Sequence, residues 1–444
     1  MRAAIRVRQA DLRPLFGGLG ICLFAVGLAD KLAFLISPLG VTLMFVGLGL
    51  LVLAVFAPDP APTWDSSILN LLFAGLFLLL ATLAALTPYR FNWLASGLTL
   101  AAGLAFILLE AGHMRRFRTW VVLGLLLAAH GLLILNDPFP KQDAFRILTY
   151  AVDHLFRHGV NPYLSFHDPV SPDVTRPYVA GYPPGALVVL APFRLVFGDV
   201  RWGFIAAEGA FVIAVRRWIR IRAGLSTWRE AAIMLPLILP RTSQAFYDYG
   251  NHDWVLLGLA AAALAVGIRH WAVTGLLLGM AVSTKQYFAV FPLAFLLPLL
   301  TRRIMLVALG TVAVLFLPFA LWDGRAFSLS LIDTFRSPAD PGRVTITNIL
   351  SGAGIHLSTG VGNAVFAGGL ALAAGLAWVG RTCFARALLA AGAGLIVVTL
   401  CSRFAAYNYY AYAIGLAAWG IALSGVNEEP ILGNQNQPAG FTQP

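Results

Sequence analysis

Residues 118–143 read RTWVVLGLLLAAHGLLILNDPFPKQD, and this stretch decides the fold. An arginine opens it, and the apolar run that follows is long enough to cross a hydrocarbon core about 30 Å thick at about 1.5 Å per residue. Prolines, polar residues and two aspartates, Asp137 and Asp143, then end the run. The stretch predicts a membrane-spanning helix with its cations on one side of the bilayer and its carboxylates on the other.

The composition extends this interpretation to the whole chain. Of its 444 residues, 59% are hydrophobic and 11% are charged, whereas a soluble protein carries about 25% charged residues. We therefore predict an all-α polytopic membrane protein with about fourteen transmembrane helices, counted on length and hydropathy. The predicted spans are roughly 14–29, 39–57, 67–87, 93–110, 118–135, 202–219, 230–247, 254–268, 271–284, 286–301, 304–322, 361–379, 386–401 and 404–424.

The positive charge of the chain indicates topology and not a nucleic-acid partner. Lys and Arg number 31 against 20 Asp and Glu, a formal net charge of +11, and these cations lie in short loops between apolar runs. Under the predicted count, the arginines at 115–118 and at 216–222 both face the cytoplasm, as the positive-inside rule requires. Both termini are then cytoplasmic.

The predicted spans divide the chain into three parts. Residues 1–117 form an N-terminal four-span extension, residues 118–424 form a catalytic transmembrane domain, and residues 425–444 form a disordered cytoplasmic tail. The middle part has two long polar segments on the outer face of the membrane, an outer loop at 136–201 and a second outer loop at 323–360. The first is the richer in polar chemistry.

The first outer loop predicts amphipathic helices that lie on the membrane surface. From Asp143 onward, apolar residues recur at helical period, which is typical of an interfacial helix. A second apolar segment, 187–197, is too short to cross and is predicted to lie beside the membrane. Polar side chains share the opposite face of the first helix: Asp143, Arg146, Tyr150, Asp153 and Arg157. We interpret Asp153 and Arg157 as a solvated ion pair four residues apart.

Asp143 is the predicted general base. A carboxylate at the boundary of lipid and water can accept a proton from an acceptor hydroxyl, and partial desolvation raises its pKa above about 3.9, which makes it a better base. Asp137 is the alternative. The simpler interpretations are that Asp143 only caps a helix and that Asp137 is a turn residue before Pro138.

Three cations are candidate ligands for a phosphate group. Lys285 lies between two apolar runs, where a buried charge needs a partner; the alternative is a lysine that snorkels or pairs with an acid. Arg403 lies near Tyr407 at the outer end of the last span, where the alternative is an interfacial aromatic belt with one arginine. Arg343 lies in the second outer loop, where the alternative is an ordinary solvated loop. A further polar group, Asn251, His252 and Asp253, is predicted to bind hydroxyl groups, although an ordinary solvated loop has the same pattern.

Taken together, these motifs resemble the GT-C superfamily of membrane glycosyltransferases, especially its bacterial polyprenol-phosphate-sugar-dependent, mannosyltransferase-like branch. The resemblance rests on an Asp outside a span, an amphipathic helix, and the motifs at 159–163 (GVNPY) and 182–185 (YPPG), and it covers roughly 118–424. In such families the Asp of the first outer loop is the catalytic base, which falls on Asp143. These enzymes usually place that loop after the first span, whereas here it follows about the fifth.

The resemblance implies an inverting transfer of a sugar, most simply mannose, from a polyprenyl-phosphate donor to a lipid, glycan or protein acceptor at the outer face of a bacterial cytoplasmic membrane. No cofactor and no metal are expected, and the partners are the lipid-linked sugar, the acceptor and membrane lipids, with no nucleic acid. The implied substrate-binding residues are Arg146, Tyr150, Asn161, Tyr163, Tyr182, Asn251, His252, Asp253 and Tyr407. A secondary transporter, a non-catalytic lipid- or glycan-handling protein and an O-antigen polymerase or ligase are the alternatives.

Overall fold

The computed structural model describes residues 12–29, 37–58, 67–86, 92–110, 114–140, 143–164, 180–222, 224–239, 253–267, 270–285, 301–336, 344–402 and 407–426. Within these ranges the chain is helical and forms no strand, as predicted. The helices are α1 Leu12–Ala29, α2 Pro38–Phe56, α3 Ser67–Leu86, α4 Trp93–Leu108, α5 Arg115–Asn136, α6 Asp143–Phe156, α7 Pro184–Phe197, α8 Trp202–Arg222, α9 Thr227–Met234, α10 Asp253–Val266, α11 Trp271–Val282, α12 Arg302–Arg336, α13 Ile346–Gly352, α14 Thr359–Gly380, α15 Phe384–Cys401 and α16 Tyr407–Ala422.

The chain is a polytopic membrane protein, but the predicted count of about fourteen crossings is not confirmed. Within the described residues, 7 helices are long and apolar enough to cross a bilayer: α1, α2, α3, α5, α12, α14 and α15. Others are apolar but shorter, among them α4, α7, α10 and α11. The 14 residues of α7 extend only about 21 Å, and its predicted place beside the membrane stays a prediction.

One predicted span is interrupted, and one predicted boundary falls at a kink. The predicted span 230–247 does not begin as one regular helix, because α9 ends at Met234, a 3₁₀ turn covers Leu235–Ile238, and Leu239 is extended. Proline explains this: Pro236 lacks an N–H, and Pro240 disfavours helical backbone at the residue before it. The predicted second outer loop begins at Asp323, where α12 is kinked and the backbone is not helical; the Asp323 side chain accepts the N–H of Ala326, and a second helical segment follows. The membrane side of this loop stays a prediction.

The N-terminal helices pack against the rest of the chain. α1 pairs with α2 and also contacts α16, while α3 contacts α9 and α4 packs on α5. Small residues permit close approach, which is how helices associate in lipid: a Cβ added at Gly27 would lie 2.5 Å from the carbonyl oxygen of Gly40. The division of the chain at residue 117 stays a prediction.

Two arginine-rich segments that the positive-inside rule assigns to one side meet at one end of the bundle. Glu230 accepts a hydrogen bond from Arg118 through Oε2 and one from the hydroxyl of Thr119 through Oε1, the latter at 2.7 Å, and Nε of Arg216 lies 3.5 Å from Oε1 as well. All four residues are buried. This polar cluster joins α5, α8 and α9. Because α5 begins here and α8 ends here, the two helices are antiparallel. The polar loops lie at the opposite end of the two helices.

At that opposite end, α6 packs its apolar face on α7, as its amphipathic pattern predicts. Leu148, Ala151 and Val152 are buried. The prediction of a solvated Asp153 was wrong: this carboxylate is 9% exposed and accepts hydrogen bonds from Arg194 of α7 at 2.6 and 3.0 Å, while Arg157 lies at 3.2 Å. Asp153 is buried because Arg194, on another helix, supplies a second cation beside it. The sequence spacing within α6 does not indicate this contact.

Candidate functional site

Two motifs of the first outer loop form one structural unit. The hydroxyl of Tyr163 donates a hydrogen bond to the carbonyl oxygen of Tyr182 at 2.8 Å, and the N–H of Ala180 donates to the carbonyl of Pro162 at 3.1 Å. The side chain of Asn161 accepts the N–H of Tyr163 at 3.0 Å, which closes an Asx turn. Burial raises the pKa of the Tyr163 phenol above its ordinary value, so this hydroxyl stays a donor.

The second motif packs directly on the loop that ends α11. A Cβ added at Gly185 would lie 2.4 Å from the carbonyl oxygen of Ser283, so only glycine allows this approach. The hydroxyls of Ser283 and Thr284 donate to the carbonyls of Gly279 and Ala281 at 2.7 Å each, and they thereby satisfy the C-terminal carbonyls of α11. The contact brings Tyr182 next to Lys285.

Lys285 forms a buried ion pair with Asp253. Its ammonium nitrogen lies 3.3 Å from Oδ1 and 3.4 Å from Oδ2 of the carboxylate, and both side chains are almost completely buried. Asp253 is the first residue of α10, where the helix dipole favours a negative charge. The structure therefore bears out the alternative of a lysine paired with an acid, and it places a predicted phosphate ligand and a predicted hydroxyl ligand together.

Aromatic rings surround this pair. The ammonium nitrogen of Lys285 lies 5.7 Å from the ring centroid of Tyr182 and 5.4 Å from that of Tyr409, within the range of cation–π attraction. Tyr412 lines a narrow crevice together with Asp253, Trp254, Leu257 and Ala411. We call Asp253, Lys285, Tyr182, Tyr409 and Tyr412 the ion-pair cluster. Its members come from four separate parts of the chain and bring opposite charges and flat apolar surfaces together.

The remaining predicted site residues have different outcomes. Arg146 and Tyr150 lie half-buried on α6, and Asp137 is half-buried after α5. For Asp143 and Tyr407 the structure describes the backbone, at the first positions of α6 and α16, and the side chains lie outside the described residues. Asn251, His252, Arg343 and Arg403 also lie outside the described residues. The predicted roles of all these residues stay predictions.

Two buried polar pairs were missed at the sequence level. His130 of α5 and Glu208 of α8 lie inside apolar helices, with Nδ1 and Oε2 2.8 Å apart. Arg201 pairs with Asp199 where α8 begins. An ionisable residue inside an apolar run is itself a signal, so Glu208 was detectable, whereas nothing in the spacing indicates the contacts of Arg201. Within the described part of the chain, no group of three His, Cys, Asp or Glu side chains is placed to hold a metal ion.

The apolar helices and the buried carboxylate–ammonium pair beside Pro- and Tyr-rich loops describe a membrane protein with a buried polar site at one end of its bundle. The sequence profile of glycosyltransferase family 87 matches residues 180–407, just over half of the chain, and the chain belongs to that family. The match confirms the resemblance seen in the motifs and favours an enzyme over a transporter. It contains Tyr182, Asp253 and Lys285 and begins after Asp143. No curated protein and no solved structure matches the chain.

Proposed function

We propose that this glycosyltransferase moves a sugar, most simply mannose, from a polyprenyl-phosphate donor to a lipid, glycan or protein acceptor at the outer face of a bacterial cytoplasmic membrane. The observation that carries the proposal is the ion-pair cluster. A buried ammonium group beside loop residues at one end of an apolar bundle suits a phosphate that arrives on a lipid chain, because the bundle excludes water and strengthens the attraction.

The aromatic members of the cluster support a sugar ligand. Tyr182 and Tyr409 present ring faces to the same ammonium group, and flat aromatic surfaces can pack against the C–H faces of a pyranose ring while Lys285 meets the phosphate. The contact with Asp253 orients the ammonium group before the donor binds. No nucleotide is needed for a lipid-phosphate donor, and the sequence has no phosphate-binding loop or dinucleotide fingerprint.

The proposed reaction is a single inverting displacement. Asp143 takes the proton of the acceptor hydroxyl, the acceptor oxygen forms a bond to the anomeric carbon, and the bond from that carbon to the phosphate oxygen breaks on the opposite face. Polyprenyl phosphate leaves with the electron pair, and Asp143 carries the proton until it is released to water. Phosphate is already a good leaving group, so no general acid is required. Asp137 is the alternative base.

The test is a direct assay of the purified protein. Incubation with a panel of polyprenyl-phosphate sugars should release polyprenyl phosphate from one of them, and NMR of the product should show an inverted anomeric centre. We expect D143N to lower turnover by about 10² to 10⁴ with an unchanged unfolding temperature, and D137N, the matched carboxylate, to keep wild-type turnover. Wild-type turnover in D143N removes Asp143 from the role, and release from none of the panel overturns the donor class.

A further inference from the structure

Arg201 connects the two ends of the segment that leads to Asp143. Its side chain is completely buried. Nη2 donates to the carbonyl oxygen of Asp137 at 2.7 Å and to that of Ile134 at 3.4 Å. These are carbonyls at the C-terminal end of α5, which have no partner inside the helix, and a cation there is favoured by the helix dipole.

The same guanidinium group also contacts α6. Its Cζ lies 4.7 Å from the ring centroid of Phe145, which is buried and stands two residues after Asp143. The edge of the Arg201 guanidinium group therefore donates hydrogen bonds to the last carbonyls of α5, and its flat face packs on the first turn of α6. The chain between these two contacts includes Asp143.

Asp199 holds Arg201 in this position. The carboxylate accepts the backbone N–H of Arg201 at 2.8 Å and hydrogen bonds from Nε and Nη2 at 3.0 and 2.6 Å. The charge of the guanidinium group is thus balanced locally, and its effect on the neighbouring segment is geometric. Only arginine can make the paired hydrogen bonds and the ring contact together, because lysine has a single compact ammonium group.

We propose that Arg201 is a positioning residue for the reaction: it sets where α6 begins relative to the end of α5, and with that the place of Asp143. This inference rests on the proposed function, in which Asp143 is the base. A base that is misplaced by about 1 Å can cost about 10² in rate although it remains chemically intact. Donor binding at the ion-pair cluster does not pass through this contact.

The experiment compares R201M with D143N and with the double variant, using the polyprenyl-phosphate sugar that the wild-type protein turns over. We expect R201M to lower kcat about 10²-fold and to leave the donor KM within about twofold of wild type, because the loss affects the chemical step and not binding. R201K should recover little. If Arg201 acts through Asp143, the double variant should be no slower than D143N alone, since a misplaced base costs nothing once the base is absent.

R194M is the matched control. It also removes an arginine–aspartate contact that anchors α6, but at Asp153, ten residues beyond Asp143. Both variants should lower the unfolding temperature, and only R201M should lower kcat strongly. Equal losses of kcat in R201M and R194M would overturn the positioning role. So would a double variant whose kcat falls below that of D143N by the same factor that R201M alone loses from wild type. Wild-type turnover in D143N would instead sink the proposed base, so the two failures are distinguishable.

Discussion

The ammonium nitrogen of Lys285 lies 3.3 Å from Oδ1 of Asp253, and the two side chains are only 3% and 1% exposed. Burial of one such charge without the other is costly, because neither water nor a counter-charge is then available. The pair is therefore a structural unit in the free protein, and a donor phosphate would meet an ammonium group that is already oriented.

Removal of one partner of this pair should destabilise the protein. We expect K285M or D253N to lower the free energy of unfolding by about 3–5 kcal/mol, because each leaves the other member of the pair buried without its opposite charge. The double variant D253N/K285M should recover much of that loss, which chemical denaturation of the detergent-solubilised protein can measure. If Lys285 binds the donor phosphate, the stable double variant should still show a raised donor KM. Wild-type kinetics in that variant would exclude Lys285 from donor binding.

The hydrogen bond from Tyr163 to the carbonyl of Tyr182 should contribute modestly to stability. We expect Y163F to lose about 0.5–1.5 kcal/mol at neutral pH. Because burial raises the pKa of Tyr163, the folded state keeps a proton that the unfolded state releases above about pH 10, and stability falls there as pH rises. The difference between wild type and Y163F should therefore shrink above that pH. A difference that is constant with pH would contradict the assignment.

The close approach of Gly185 to Ser283 should not tolerate a methyl group. We expect G185A to cost about 1–3 kcal/mol through overpacking and to lower activity, since the shift moves Tyr182 away from Lys285. G124A is the matched control: it lies inside α5 with open space at its Cβ position, and it should stabilise the helix by about 0.5–1 kcal/mol. Equal unfolding temperatures for the two variants would argue against the contact.

The polar cluster at the arginine-rich end should depend on Glu230. E230A leaves Arg216 buried without its carboxylate and removes one of the two carboxylates that pair with Arg118, the other being Glu110, and we expect a loss of about 3–5 kcal/mol. E230Q should lose less, because its amide oxygen can still accept from Thr119. Thermal unfolding of the purified variants measures both. An E230A variant as stable as wild type would show that these arginines find other partners.

Several residues of the ion-pair cluster were predicted one by one, but their arrangement in space was not. Lys285, Asp253 and Tyr182 were each expected to bind substrate, and the structure brings them together, yet Lys285 and Asp253 were assigned to different groups. Tyr409 was not predicted to lie beside Lys285. A single sequence shows that a charge sits next to an apolar run, but which opposite charge meets it depends on how α10 and α11 pack.

Residue types and their local period by themselves determined that this chain is helical, membrane-embedded and amphipathic in α6, because apolar length and helical period are properties of consecutive residues. Only the tertiary structure decided that Asp153 is buried by Arg194, that the motifs at Tyr163 and Tyr182 form one unit, and that Arg201 spans α5 and α6. Such contacts join residues far apart in the chain, and they depend on the rotation and register of packed helices, which sequence spacing does not specify.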